Sequence, residues 1–232
     1  MVNKVKDILK GKIIKWEEKS SKRHYIEIDK KDLRSAAELL FRKLELRFCI
    51  ATGLDNVKNM EVLYHFSDDK TGVVYSLRVF TDRDKGQIPS IADIIKGATW
   101  IEREMRELLG IEFTGAADTS RLLLDPTWPE GVYPLRKDYE YGRKEPRGED
   151  SCRRPNIKIE ELTKNGKKTK IIPIGPYHPL QEEPEFFELM VQGEKVIDLN
   201  INLGYNHRGI EKIAEGKHWD QVTFLVERIC GI

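Results

Sequence analysis

Three stretches in the last third of the chain carry residue types suited to chemistry. Ile174-Gly175-Pro176-Tyr177-His178-Pro179 precedes Glu182-Glu183-Pro184, so an imidazole and two carboxylates sit among three prolines. Proline fixes its own φ and holds the preceding residue extended. His178, Glu182 and Glu183 are therefore expected on a stiff rim, which suits the lining of a site and equally a surface turn with solvated acids. His207-Arg208-Gly209-Ile210-Glu211-Lys212 sets an imidazole, a guanidinium and a carboxylate around a glycine that permits close backbone approach. The same text also suits a capped amphipathic helix. In the third stretch, Glu227-Arg228-Ile229-Cys230-Gly231-Ile232, a thiol follows an arginine by two positions. Cys49, Cys152 and Cys230 are too few and too widely spaced for a disulfide framework, and an odd count fits a reducing compartment, so each reads as a thiol.

The elements that must position these residues fit within 232 residues, enough for one large domain or two small ones. Forty basic against thirty-nine acidic residues give a net charge of +1. That balance offers no footprint for nucleic acid or for an anionic membrane, and no nucleic-acid partner is expected. The charged fraction of 34% implies a densely ionic, soluble surface, and the wealth of Lys, Glu and Ile fits a thermophilic habit. No run approaches the roughly 18 to 20 apolar residues needed to cross a bilayer. The polar start Met1-Val2-Asn3-Lys4 lacks the apolar core of a signal peptide, so a cytoplasmic chain with no membrane span of its own is expected.

Periodicity orders the elements. The opening reads as a helix followed by a strand at Tyr25–Asp29. Asp32-Leu33-Arg34 starts a helix whose apolar positions Leu33, Ala36, Ala37, Leu40, Phe41 and Leu44 recur at three-and-four spacing, ending near Leu46. Arg47–Thr52, Met60–Phe66 and Val73–Phe80 read as an antiparallel meander. Pro89-Ser90 opens a helix through about Leu109 with Gly110 as its stop. The turn-rich, charged stretch between Tyr139 and Pro155 reads as a linker. Asn165-Gly166 marks one hairpin, Gly193 marks another between Phe186–Val191 and Lys195–Ile201, and helices follow from about His207 to Gly216 and from about Trp219. The fold class is α+β, an antiparallel sheet with packed helices followed by a β-rich and helical second module. The domains expected are residues 1–140, a charged linker and hairpin at 141–170, and 171–232, with no internal repeat.

On Trp100–Phe113, Asp118, Arg121–Leu124 and Pro134–Tyr139 the first module resembles the C subunit of complex I and its hydrogenase relatives. Read as residues alone, Glu102, Arg103, Glu104 and Arg106 form a solvated helix face with weak neighbouring ion pairs. The resemblance implies a connector without cofactor, with Glu102, Arg103, Glu104, Arg136, Lys137 and Asp138 docking neighbouring subunits. The sequence departs from the family at Ala116 and Tyr133, where histidines are common. The second module resembles the start shared by complex I's D subunit and the NiFe hydrogenase large subunits. It does so on Gly175–Pro179, His207–Lys212 and Glu227–Ile232, and the fused order is that of formate-hydrogenlyase-type proteins.

The resemblance implies the large subunit of a membrane-associated, energy-converting group-4 NiFe hydrogenase, an oxidoreductase interconverting protons and hydrogen. It makes Cys230 a terminal nickel thiolate, since hydrogenases read Arg-x-Cys-Gly-x-Cys here and complex I lacks the thiol. Glu183 becomes the catalytic proton relay, with Glu182 in reserve. His178, His207, Arg208, Glu211 and Arg228 become the wall around the centre. A NiFe(CN)2CO centre is implied for the complete protein and an iron-sulfur cluster in a partner subunit. The further partners implied are membrane subunits, with ferredoxin or formate dehydrogenase as distal electron donor, at the cytoplasmic side of the membrane. The motif's second Cys would be residue 233 and the later Cys pair is absent, so the chain reads as cut after the first Cys and unable to build the centre alone. Cys152 is read as incidental. The rival readings are a complex-I-like fused C/D chain with His178 beside quinone, and a non-catalytic scaffold fragment.

Overall fold

Alternation with period two writes the central strands of the first module, because Met60, Val62, Tyr64 and Phe66 share one sheet face with Tyr75, Leu77 and Val79. The computed structural model describes residues 1–124, 128–140, 159–164 and 166–229. These divide into two units, Met1–Ser120 with Tyr133–Tyr139, and Arg121–Val132 with Glu140–Ile232. The heart of the expected linker and Asn165, Cys152 and Cys230 lie outside the described residues.

In the first unit, helix α1 (Val2–Ile8) precedes β1 (Ile13–Ser20), β2 (Arg23–Ile28), α2 (Leu33–Glu38), β3 (Arg47–Asp55), β4 (Asn59–Asp68) and β5 (Val73–Asp82). β6 (Gln87–Pro89), α3 (Ala98–Leu109) and β7 (Glu112–Thr114) complete it. The five-stranded sheet has the order β1-β2-β5-β4-β3. The β3-β4-β5 meander is antiparallel as expected, whereas β2 pairs with β5 in parallel. One sheet face is covered by Val5 and Leu9, by the stripe Leu33, Ala36, Ala37 and Leu40, and by Ala98, Met105 and Leu109. α3 approaches β3 at Gly53, where a Cβ would stand 2.6 Å from Leu109 Cδ1. The α+β class expected from sequence is borne out.

Some details differ. The strand β1 is not expected from its text, because Ile13-Ile14-Lys15-Trp16-Glu17-Glu18 breaks period two at a bulge between Ile13 and Lys15. The helix at 33 does not run uniformly to 46: it widens over Leu39–Lys43, where the Leu44 N–H reaches the Leu39 carbonyl at 3.0 Å. The helix expected from Ser90 starts eight residues later. Gln87–Pro89 pairs in parallel with β7, and the Ser90 hydroxyl and Ile91 N–H both donate to the Glu102 carboxylate, holding 90–91 out of a helix.

The second unit has an antiparallel sheet of order β11-β10-β9-β8, formed by β8 (Glu160–Lys164), β9 (Lys167–Ile174), β10 (Phe186–Gln192) and β11 (Lys195–Asn202). Gly166 and Gly193 take positive φ at its hairpin turns. After a 3-10 turn at Gly204–Asn206 come α4 (Ile210–Ala214), later and shorter than expected, and α5 (Trp219–Glu227). Among the described residues no helix is long and apolar enough to cross a membrane.

On the covered face of the first sheet, His24 stacks on Tyr75 at 5.5 Å and tilts against Trp16 at 5.4 Å. Both His24 ring nitrogens, Trp16 Nε1 and the Tyr75 hydroxyl are buried without a hydrogen-bond partner among the described residues. A buried polar group left unpaired costs more than an apolar ring of the same shape. His24→Phe is therefore expected to raise the unfolding free energy by about 1 kcal/mol, measured by denaturant titration. A loss of stability would instead show that buried water satisfies these atoms.

Candidate functional site

Glycine shapes the proline-rich rim of the second unit. Gly175 has φ +88°, and a Cβ there would stand 2.0 Å from the Glu185 carbonyl oxygen, so the loop closes on itself only without a side chain. His178 is exposed, and its Nδ1 accepts from the Leu180 N–H at 3.2 Å. A neutral ring so held carries its proton on Nε2, which leaves a donor for solvent or a partner. Glu182 and Glu183 are exposed, and no described hydrogen bond or ion pair joins either to His178.

The second cluster surrounds α4. Gly209 takes φ +64° as the residue before the helix, and His207 Nε2 lies 3.9 Å from Glu211 Oε2, one turn on. Arg208 donates to the Arg228 carbonyl at 2.6 Å, tying the start of α4 to the end of α5. Arg208 thus holds the backbone two positions before Cys230 in sequence. Three of the expected wall residues, His207, Arg208 and Glu211, share one turn with Arg228 at its edge. No described hydrogen bond or ion pair joins this cluster to Glu183. Among the described residues no group of three or more His, Cys, Asp or Glu is placed to hold a metal ion.

The residues expected to dock neighbours in the first unit divide by exposure. Glu102 is 2% exposed, and burial raises its carboxyl above the usual range against the pull of the Ile91 and Ser90 hydrogen bonds. Its side chain is therefore internal, bracing the 90–91 turn, and presents nothing to a neighbour. Arg103 is also buried, donating to the Ser120 carbonyl at 2.9 Å and pairing with Asp118 at 3.2 Å. Periodicity alone hides this, because a charged residue beside an apolar stripe looks like an exposed one. Glu104 is half-exposed, and Lys137 and Asp138 are exposed. A cleft of about 280 Å³ opens beside α3, lined by Thr99, Glu102, Arg103, Phe113, Ala116 and Asp118 among others.

Asp55 and Arg83 do not stand out in the sequence, yet they organise this end of the unit. Arg83 donates through Nε to Asp55 Oδ1 at 2.9 Å and through NH2 to Oδ2 at 2.8 Å, and the Asp55 side chain is fully inaccessible. The same guanidinium reaches Asp138 at 2.8 Å, and Asp55 also accepts the Lys137 N–H at 2.9 Å. Arg136 stacks on Tyr133 and donates to the carbonyls of Leu109 at 2.8 Å and Arg83 at 2.9 Å. Gly110, with φ +76°, ends α3 where a Cβ would stand 2.5 Å from the Tyr133 ring. Arg136, Lys137 and Asp138 thus close the unit upon itself. The only sequence hint is an arginine set between two aspartates, Asp82 and Asp84.

Residues 26–145 match the family described as respiratory-chain NADH dehydrogenase, 30 Kd subunit. Formate hydrogenlyase subunit 5 of Escherichia coli (strain K12) is 37% identical over 205 residues, 86% of this chain and 36% of that protein. The fused C/D subunit of NADH-quinone oxidoreductase from Phocaeicola vulgatus is 34% identical over 192 residues, 77% of this chain and 36% of that protein. The chain thus spans about a third of the length of these curated relatives. The expected resemblance to fused C/D-like and hydrogenase subunits is borne out. The solved structure of an archaeal membrane-bound sulfane sulfur reductase shares the fold, with a TM-score of 0.53 and 23% identity over 60% of this chain and 85% of that one.

The clamp sets a pH dependence. The Arg83 guanidinium, helped by the Lys137 and Val57 N–H groups, holds the Asp55 carboxyl far below its usual range despite burial. A depressed carboxyl stabilises the fold fully above its unfolded pKa, about 3.9, and that share is lost as pH falls toward the folded value. Stability is expected to decline below about pH 5. Asp55→Asn is expected to lose about 3 kcal/mol at neutral pH and to flatten the acid limb. Denaturant unfolding across pH measures both, and an unchanged acid limb in the variant would move the effect to other carboxylates.

Proposed function

The chain belongs to the family of the respiratory-chain NADH dehydrogenase 30 Kd subunit, and from that membership we propose that it forms part of a membrane-associated, energy-converting hydrogenase. In this reading the first unit connects neighbouring subunits and the second contributes to the wall of the catalytic centre in the large subunit. The observation that carries it is the 37% identity with formate hydrogenlyase subunit 5 across 86% of the chain, well beyond residues 26–145. The proposed reaction of the complete assembly is reversible proton reduction at its cytoplasmic face. Electrons arrive through a partner's iron-sulfur cluster from ferredoxin or a formate dehydrogenase.

The roles proposed for the residues follow their chemistry. Glu183, a carboxylate on a stiff loop, takes up and releases protons once a neighbouring surface covers it. His178, on the same loop, keeps its Nε2–H free to donate to a partner. Arg208, through the Arg228 carbonyl, sets the path of the backbone leading to Cys230, and His207 and Glu211 brace the same turn. Glu104 and the exposed side chain of Lys137 remain as docking residues, while Arg136 and Asp138 are engaged in the clamp within the unit. A nickel site of four thiolates does not fit this chain: it has three cysteines, and Cys49 lies exposed on β3 in the other unit. A thiolate role for Cys230 therefore requires further ligands from outside these 232 residues.

A second reading, a quinone-reducing protein of the fused C/D type, is favoured by the 34% identity with the C/D relative. Isolating the complex from its native host through a tag on this chain separates the two. Co-purification of an iron-sulfur subunit with hydrogen evolution is expected, whereas quinone reduction without hydrogen evolution would favour the second reading. Recovery of the chain without partners would refute both. Glu183→Gln is expected to cut hydrogen evolution about a hundredfold with assembly intact. An unchanged rate would remove Glu183 from the proton path.

A further inference from the structure

The near-neutral total conceals a segregation of charge. Residues 1–25 hold seven lysines and Arg23 against Asp7, Glu17 and Glu18, a balance of +5, so residues 26–232 hold −4 to reach the net +1. The family match begins at residue 26, and this basic segment lies outside it. It is folded: Val5 and Leu9 are fully buried and β1 pairs with β2, so its cations are displayed on a fixed edge.

The turn between α1 and β1 concentrates them. Lys10, Lys12 and Lys15 fall within six residues, and the bulge between Ile13 and Lys15 leaves Ile14 63% exposed in their midst. Register sets Ile13 against Ile28, which brings the turn beside Asp29–Asp32 and adds the exposed Lys31. The carboxylates here are Asp32, paired with Lys12 at 3.0 Å, Asp29, paired with Lys31 at 3.4 Å, Glu27, opposite Lys15 in the register, and Glu17, two positions along β1 from Lys15 and paired with Lys19 at 2.5 Å. Lys4 and Lys10 are exposed with no ion pair among the described residues, and Asp7 is the only acid on α1.

An apolar side chain raised among lysines suits a layered environment, apolar beneath and anionic at its surface. Lysine is a hydrated point charge and is depleted from protein interfaces, whose anchors are Tyr, Trp and Arg. Trp16, the aromatic ring of this segment nearest the turn, packs inward on His24 under Lys6 and offers no anchor. We propose that the α1–β1 edge rests on an anionic phospholipid surface, with Ile14 entering the headgroup layer and Lys4, Lys10 and Lys15 facing the lipid phosphates. This contact is independent of the catalytic reading, since it needs neither the second unit nor any cofactor.

Co-sedimentation of the purified full chain with vesicles tests it. Association with phosphatidylcholine vesicles containing phosphatidylglycerol, absent with phosphatidylcholine alone and released by added salt, is expected. Replacing Lys4, Lys10 and Lys15 together by Gln is expected to weaken partition on the order of a hundredfold. Ile14→Ser is expected to weaken it severalfold, with unfolding unchanged because the side chain is exposed. No association with anionic vesicles at low salt, or equal association of the triple variant, overturns the proposal. Capture by poly-glutamate without vesicle binding overturns it too, by pointing to an acidic protein surface. None of these readouts depends on hydrogen evolution, so this proposal and the functional reading fail separately.

Discussion

The fork formed by Arg83 on the sealed Asp55 carboxylate is the constraint on which the first unit turns. Taking a carboxylate out of water is costly unless a cation and further donors replace the lost solvent, and here Arg83 and two backbone N–H groups do so. Those partners come from the β3–β4 turn, the segment after β5 and the returning residues at 137–138. Satisfying one charge therefore ties three chain segments together at this end of the unit. Arg136 extends the same logic to the Leu109 carbonyl at the C-terminal end of α3.

Much of this architecture is readable from residues. Period-two runs mark the meander, the three-and-four stripe marks α2, and Gly110 marks the end of α3. What escapes is set by contacts remote in sequence. The β1 strand carries a bulge that spoils its alternation, and it forms because β2 offers an edge. The late start of α3 depends on Glu102 reaching back across eleven and twelve residues to Ile91 and Ser90. No local pattern distinguishes a glutamate turned inward from one turned out, so Glu102 and Arg103 look like surface residues.

The candidate site is legible at the level of motifs and not of geometry. The proline-rich rim, the His207–Glu211 turn and the Arg228 region all exist as local structures, and Arg208 links two of them. Their assembly into one centre is not written in described contacts. Family resemblance carries further than periodicity because it reads residue identities that local propensity ignores. Charge offers the opposite lesson: a sum near zero is uninformative, while its distribution along the chain separates the first 25 residues from the rest.

The order in which the chain visits its two units has a practical meaning for dissecting the gene. The polypeptide leaves the first unit after Ser120, contributes Arg121–Val132 to the second, returns for Tyr133–Tyr139 and then departs again. A fragment ending at residue 120 would contain every strand of the five-stranded sheet and still lack its closing clasp. The natural excision point for an autonomous first unit therefore falls after residue 139, and any insertion or fusion between 121 and 132 must preserve the return path.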